Sequence, residues 1–306
     1  MKTLRFTLGS LLFTAFFASV SHAQSTFVST SGNDFNPCTR TAPCRTFATA
    51  SAATPLGGEV VVLDSGDYDA FTITRSVSIV APAGVHAGIP VASGNGINVA
   101  TFGPATVVLR GLTITNQGSF GDGIEFTNGT ALRVENCVVN GFSGGNGLLQ
   151  SSPNSHMVLK DSVFRDNSEA IRVWPASGAA QATVEQVRME GGSIGLLAGP
   201  ASRVTVRNSV GANTSGAGFF AFSFGPAARA ELNIETCLAT DNGGVGIEGS
   251  GSSGSTTIRV SNSTVTGNGI GLLNFISSAV ILSRGNNTVQ GNTTDVVGPI
   301  GTYPAS

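Results

Sequence analysis

The chain has 306 residues, of which 41 are glycine, about twice the usual share, and only 11% are charged. So few charged residues argue against a helical protein, because helices expose charged side chains. A formal charge of −2 leaves no basic stripe for nucleic acid, and 41% hydrophobic residues favour a folded core over disorder.

The first 23 residues have the pattern of a bacterial secretory signal. Lys2 and Arg5 precede an apolar run over residues 8–20, and residues 21–23 (Ser-His-Ala) fit a cleavage site. The run is shorter than the roughly 18 residues that a membrane helix needs, and no later segment reaches that length. We expect a secreted or periplasmic mature chain that starts at Gln24 and has no membrane span.

Two cysteines near the start of the mature chain bracket a short loop that contains Pro43. Export permits disulfide bonds, so Cys38 and Cys44 are predicted to form a local bridge. Zinc binding is the rival interpretation, but two further ligands of the right kind do not lie nearby. We therefore expect no metal site.

Residues 45–53 are the one stretch with a helical composition, and Pro55 with the glycines that follow ends it. The run at 59–63 (Glu-Val-Val-Val-Leu) is typical of a first β-strand. A solenoid exposes its core at each end, so a short helix here would cover it. Residues 24–58 are thus predicted to form an N-terminal cap with the Cys38–Cys44 loop.

A glycine followed by a bulky apolar residue recurs through most of the chain, with a substituted first residue in two units. The apolar residues are about 25 positions apart: Ile97, Ile124, Leu148, Ile171, Leu196, Phe219, Ile247, Leu272 and Val296. Each unit also has a second strand-like segment, followed three residues later by an inward candidate. These candidates are Cys137, Ser162, Val187, Ser209, Cys237 and Ser263.

Short strands, turn residues and no amphipathic helix in each unit predict an all-β, single-stranded right-handed parallel β-helix, a solenoid of about ten coils. It would span residues 59–298 and end in a non-repeating tail at 299–306. An antiparallel sandwich gives no reason for a constant register. Cys137 and Cys237 would lie four coils apart, about 19 Å, and are expected to be separate buried thiols.

Two segments carry a family resemblance. Residues 27–34 with 43–47, and residues 60–68 with 76–80, resemble the opening and first coil of secreted β-helix proteins of the pectin-lyase-like superfamily. The resemblance implies the fold and a groove beside the first sheet, where enzymes of the group act on polysaccharides. It implies no particular reaction, since the group includes lyases, hydrolases, esterases, epimerases and proteins without a known activity.

The residue after each inward apolar position should point outward, so these residues should form a column along the stack of coils. This column is Glu125, Leu149, Arg172, Leu197, Phe220, Glu248 and Leu273. The candidate catalytic set is Asp122, Glu125 and Arg172, with Asp166 and Glu169 on the turn before Arg172. An ordinary turn with surface charge is the favoured interpretation, because the triplets of polygalacturonases are missing. No cofactor is expected, and Ca²⁺ would be implied only for a lyase.

Aromatic residues on the same face are candidate ligand-binding residues. Trp174 and Phe222 should lie two coils apart, so that rings about 10 Å apart could stack on successive sugars, with Phe220 beside them. The rival interpretation, which is the favoured one, makes Phe222 or Phe224 part of the core and lets Trp174 cover a loop. The apolar members of the outward column, from Leu149 to Leu273, could instead form a contact surface.

Three functions remain open on the sequence. The preferred one is an exported, non-catalytic module that binds a polysaccharide or cell-surface glycan, or presents a surface. The alternative is a polysaccharide lyase or glycoside hydrolase with an atypical site. A structural or adhesive protein is the third, and the sequence leaves self-association undetermined.

Overall fold

The computed structural model describes residues 25–225, 228–275 and 278–304. The predicted signal sequence at 1–23 lies outside the described residues. Within them the chain winds through three parallel β-sheets, which we number 1 to 3.

Each coil contributes one strand to each sheet, and every pairing between named strands is parallel. Sheet 1 has twelve strands: Ser25–Val28, Glu59–Val62, Val77–Val80, Thr106–Arg110, Ala131–Glu135, Ser155–Lys160, Ala180–Glu185, Ser202–Arg207, Arg229–Glu235, Ser255–Ser261, Ala279–Ser283 and Ile300–Thr302. Sheet 2 has ten: Phe71–Ile73, Ile97–Ala100, Ile124–Asn128, Asn146–Gln150, Glu169–Val173, Ile194–Ala198, Ala217–Ser223, Val245–Gly251, Ile270–Asn274 and Thr294–Val297. Sheet 3 has ten: Gly66–Asp67, Ala87–Val91, Leu112–Asn116, Val138–Asn140, Val163–Arg165, Arg188–Glu190, Val210–Ala212, Leu238–Thr240, Thr264–Thr266 and Thr288–Val289. The predicted β-solenoid is confirmed.

The apolar residue of the repeat forms one column in sheet 2, in the register that the sequence predicted. Ile124 pairs with Ile97 on one side and Leu148 on the other, and the column continues to Val296. Its members from Ile97 to Leu272 are buried, whereas Val296 is 45% exposed because it belongs to the last strand of the sheet.

The glycine before most of these residues suits the close stacking of the coils, and Ala170 and Asp295 take its place in two units. A Cβ atom on Gly123 would lie 2.6 Å from the carbonyl oxygen of Gly147, the equivalent glycine one coil further along. This distance is well inside van der Waals contact. The repeated glycine therefore lets the chain pass close to the coil above it.

A second column of buried residues lies at the corner between sheets 1 and 3. Its members are Cys137, Ser162, Val187, Ser209, Cys237 and Ser263, as predicted. The serine hydroxyls accept hydrogen bonds from the backbone of the preceding coil, as Ser162 Oγ does from Cys137 N at 3.1 Å. Both cysteines of the column are free and buried, which confirms the expected separate thiols.

The N-terminal end is closed by one short helix, Phe47–Ala53, whose Phe47 and Ala50 side chains are buried. Cys38 and Cys44 form a disulfide with their Cα atoms 4.6 Å apart, as predicted. The cap also holds a strand that the sequence analysis assigned to no coil. Ser25–Val28 pairs in parallel with Glu59–Val62, so sheet 1 begins inside the cap.

The C-terminal end differs from the prediction in a similar way. Ile300–Thr302, assigned to a non-repeating tail, forms the last strand of sheet 1 and pairs with residues 281–283. Pro299 and Pro304 flank this strand without interrupting its hydrogen bonds. The repeat thus extends further than the spacing of its glycines indicated.

Candidate functional site

The predicted catalytic and ligand-binding residues Asp122, Glu125, Arg172, Trp174, Phe220 and Phe222 lie on or beside the strands of sheet 2. Side chains alternate across a strand, so the residue after each buried apolar position points away from the core. The pairing confirms one column in which Glu125, Leu149, Arg172, Leu197, Phe220, Glu248 and Leu273 follow one another. Glu125 and Arg172 are therefore two strands apart, as expected.

Four aromatic side chains, Trp174, Phe220, Phe222 and Phe224, meet on this face and form what we call the aromatic cluster. Trp174 and Phe222 stack, with ring centroids 6.3 Å apart and planes 19° apart. Phe224 lies 5.8 Å from Trp174 and 6.1 Å from Phe222, and Phe220 lies 6.0 Å from Phe222. Phe224 is 48% exposed and the other three rings are half-buried, so the cluster is accessible to solvent.

The aromatic rings are closer together than the 10 Å expected for residues two coils apart. Gly199 of the intervening coil lies between Trp174 and Phe222. This follows from the pairing one residue earlier, where Val173, Ala198 and Ala221 are in register. A Cβ on Gly199 would lie 2.5 Å from Trp174 Cε3. The missing side chain lets the indole ring lie over the strand and touch the next ring. Trp174 and Phe222 are two coils apart, as predicted, but their ring centroids are 6.3 Å apart instead of about 10 Å. The rings therefore form one continuous surface.

Arg172 extends the aromatic cluster with a cation. Its guanidinium carbon lies 4.4 Å from the centroid of the Trp174 ring, within the range of a cation–π contact. Its Nη1 lies 3.4 Å from Oε1 of Glu169. Arg172 is thereby held between a carboxylate and an aromatic ring.

Three carboxyl groups lie in the N-terminal half of the face, and one of them, Glu169, contacts Arg172. Asp122 Oδ1 accepts hydrogen bonds from the backbone and side-chain nitrogens of Asn146, at 2.6 and 2.8 Å. Glu125 Oε2 accepts one from Asn95 Nδ2 at 2.5 Å. The other oxygen of Glu169, Oε2, is buried without a hydrogen-bond partner.

Burial raises the pKa of two of these groups, Glu125 and Glu169. Burial raises the pKa of Glu125 above its usual value, and the charge of Asp122 raises it further against the hydrogen bond from Asn95. Burial also raises the pKa of Glu169, although Arg172 opposes the change. Among the residues that the structure describes, no three His, Cys, Asp or Glu side chains are close enough to hold one metal ion.

Glu169, predicted only as a turn neighbour of Arg172, is its direct ion-pair partner. It lies at the start of a strand of sheet 2, in register with Asn146 and Ile194. The signal was its position three residues before Arg172. Asp166, named with it, is exposed on the turn with a left-handed backbone (φ 56°).

The C-terminal half of the face is apolar. Ala217, Val245 and Leu273 form a small hydrophobic cluster outside the main core, with Phe220 and Ile270 packed against it. Glu248 lies between Phe220 and Leu273 in the column, and burial raises its pKa. The expected contiguous exposed strip from Leu149 to Leu273 is therefore not formed, because Leu197 and Leu273 are buried and Glu248 interrupts the column.

One further structural finding concerns membranes: within the described ranges, no helix has the length and apolar character to cross a bilayer.

Comparisons with known proteins place the fold. No curated protein sequence matches the chain significantly. Among solved structures, the chain is similar to pectate lyase Pel9A, at 16% identity and a TM-score of 0.67, covering 90% of this chain and 78% of that one. It is also similar to a rhamnogalacturonan lyase, at 14% identity and a TM-score of 0.53, covering 90% and 89% of the two chains. These likenesses show the fold alone and no activity. The family model described as "Right handed beta helix region" matches residues 95–294, so the chain belongs to the right-handed β-helix family.

Proposed function

We propose that this protein is an exported, non-catalytic module that binds a polysaccharide on the outer face of sheet 2. The observation that carries the proposal is the continuous surface formed by Arg172, Trp174, Phe222 and Phe224. Aromatic rings offer large apolar area together with a polar edge, which suits the faces of sugar rings. The two structural neighbours are named for polysaccharide substrates, which supports the same class of ligand.

The arrangement suits binding along a chain. The aromatic cluster, the carboxyl groups and Asn146 all lie on or beside one sheet that runs along the solenoid. A polymer laid along sheet 2 would contact several coils at once. Hydroxyl groups of the sugars would find acceptors at Asp122 and Glu125 and donors at Arg172 and Asn146.

A direct test uses Trp174, which is the single tryptophan of the chain. Its fluorescence reports on this face alone, so titration with a panel of polysaccharides should change the emission for those that bind. Phe222→Ala should weaken the binding, because it removes the ring stacked on Trp174. Phe35→Ala is the matched control, since Phe35 is fully exposed on the N-terminal cap. Equal binding by both variants, or no binding to any polysaccharide, would contradict the proposal.

Export forms part of the proposal. The disulfide between Cys38 and Cys44 is consistent with an oxidising compartment. We expect expression in a bacterial host to yield a mature chain in the periplasm or medium that starts at Gln24. Mass spectrometry of the intact protein would reveal the cleavage, and a cytoplasmic chain that keeps its first 23 residues would refute it.

The carboxyl groups favour one second candidate, a polysaccharide lyase or glycoside hydrolase that uses Asp122, Glu125 and Arg172. Glu125, whose pKa is raised, could donate a proton while Asp122 acts as the base. Reducing-sugar release and the absorbance of unsaturated products would reveal either reaction. Activity that is lost in Asp122→Asn and Glu125→Gln would favour this candidate over a binding module.

A further inference from the structure

We propose that the outer face of sheet 2 selects glycans without carboxylate groups and binds amino-bearing sugars most tightly. This inference rests on the proposed polysaccharide binding and names its substrate class. It sets the protein apart from the two structural neighbours, which are named for pectate and rhamnogalacturonan.

The balance of charge on the face is the first argument. Four carboxyl side chains, Asp122, Glu125, Glu169 and Glu248, lie on it, against the single cation Arg172. The remaining outward side chains of the described strands in sheet 2 are amides, hydroxyls, alanine or larger apolar groups. A ligand on this face therefore meets a negative surface.

The second argument is that Arg172 is already engaged. Its guanidinium lies 3.4 Å from the carboxylate of Glu169 and 4.4 Å from the ring of Trp174. A uronate carboxylate that approached Arg172 would also approach Glu169. Arginines on sheet 1 also have carboxylate partners. Arg203 Nε, for example, lies 3.1 Å from Glu231 Oε2.

A bridging cation is the way in which an acidic surface could still hold an acidic glycan. Within the part of the chain that the structure describes, no three carboxylate, histidine or cysteine side chains converge on one point. Glu125 accepts a hydrogen bond from Asn95, and Asp122 accepts one from Asn146, so an oxygen of each carboxylate faces an amide donor. The built environment of these carboxylates is thus one of hydrogen-bond donors, which ammonium and hydroxyl groups of a sugar also supply.

The experiment compares three oligosaccharides of equal length by the fluorescence of Trp174 at constant ionic strength. The probes are deacetylated chito-oligosaccharide, cello-oligosaccharide and oligogalacturonate, compared over a pH series, because burial raises the pKa of Glu125, Glu169 and Glu248 and the face is fully negative only once they ionise. We expect the chito-oligosaccharide to bind roughly tenfold more tightly than the neutral one, and oligogalacturonate most weakly. The oligogalacturonate titration is run with EDTA and again with Ca²⁺, and neither should restore tight binding.

Two variants separate this face from the charge of the whole protein. Glu125→Gln combined with Glu248→Gln should reduce the preference for the amino sugar by roughly threefold or more. Glu185→Gln is the control, since Glu185 lies on the outer face of sheet 1 between Lys160 and Arg207. Leu149→Lys, which adds a cation between Glu125 and Arg172, should increase oligogalacturonate binding, a gain that a misfolded protein would not show.

The outcomes distinguish the two proposals. Oligogalacturonate that binds as tightly as the other probes, with or without Ca²⁺, would overturn the selectivity and leave polysaccharide binding intact. Equal binding of the amino and neutral probes would overturn the preference for amino sugars. No change in fluorescence with any probe would overturn both proposals.

Discussion

Trp174 and Phe222 stack against each other across an intervening coil, with ring centroids 6.3 Å apart. Strands two coils apart are separated by about 10 Å, so side chains at these positions would ordinarily not meet. The contact exists because the coil between them carries Gly199 at the equivalent position. One residue without a side chain therefore converts separate rings into a single binding surface.

Gly199→Ala should disrupt this surface. The added Cβ would lie 2.5 Å from Trp174 Cε3 and 3.0 Å from the carbonyl oxygen of Val173, so the indole ring must move. We expect an altered Trp174 emission, a loss in glycan affinity of about fivefold, and a stability cost of about 1–3 kcal/mol. Gly243→Ala is the control, since its nearest neighbour is Ser215 O at 3.3 Å. An unchanged emission spectrum in Gly199→Ala would contradict the role of the glycine.

Cys137 and Cys237 should be unreactive in the folded protein. Both are buried, and burial raises the pKa of each thiol to about 11, so neither forms a thiolate at neutral pH. Titration with a thiol reagent should show no reaction until denaturant is added. Two thiols should then react without reductant, because Cys38 and Cys44 are bonded. Rapid labelling of a native thiol would refute the buried column.

Asn268 should be important for stability. It is buried, its Oδ1 accepts from Asn242 Nδ2 at 2.8 Å, and its Nδ2 donates to Asn292 Oδ1 at 2.8 Å. Asn268→Ala leaves these partners without their hydrogen bonds away from water, which should cost about 3 kcal/mol in urea unfolding. Asn286→Ala is the matched comparison, because Asn286 makes the same kind of contact with Asn262 on the exposed surface. Equal losses for the two variants would show that burial does not decide the effect.

Asp64 should make the N-terminal cap sensitive to acid. Burial alone would raise its pKa, but hydrogen bonds from the Tyr68 hydroxyl, Thr30 and Ser29 outweigh it and lower the pKa to about 2. The folded pKa lies below the unfolded value, so its stabilising contribution is present above about pH 4 and is lost as the pH falls towards about 2.

The check on Asp64 is the melting temperature across this pH window. Asp64→Asn should flatten the dependence between about pH 4 and pH 2. Asp69→Asn, at an exposed position of the same segment, should leave it as in the parent protein. A parent protein whose melting temperature is constant over this window would contradict the assignment.

The fold was predictable because the coils of a solenoid repeat, so the same residue types recur at the same spacing in the sequence. Each coil packs only on its neighbours, so the residue at a given place in the coil meets the same surroundings every turn. Gly123 and Ile124 recur for that reason, and Cys137 could be assigned to a buried column before any coordinates were known. The ends were harder to predict, since Ser25–Val28 and Ile300–Thr302 form strands without the repeat.

The candidate site was predictable only in part. The outward column containing Glu125 and Arg172 follows from strand alternation, which is a local property. The contact of Glu169 with Arg172 depends on side-chain directions along one strand, and the closeness of Trp174 to Phe222 depends on side-chain directions across coils. Spacing along the chain does not encode those directions.

The sequence alone thus determined the architecture: the period of about 25 residues, the buried column, the cap helix and the Cys38–Cys44 pair. These features follow from local sequence patterns and from their repetition, because equivalent residues have the same surroundings in neighbouring coils. Only the tertiary structure decided that Arg172 lies between Glu169 and Trp174 and that Gly199 brings the rings together. The physical reason is that these contacts depend on particular side chains that occur once rather than in every repeat: Glu169, Arg172 and Trp174 lie on or next to one strand, and Gly199 lies between Trp174 and Phe222 of the coils on either side.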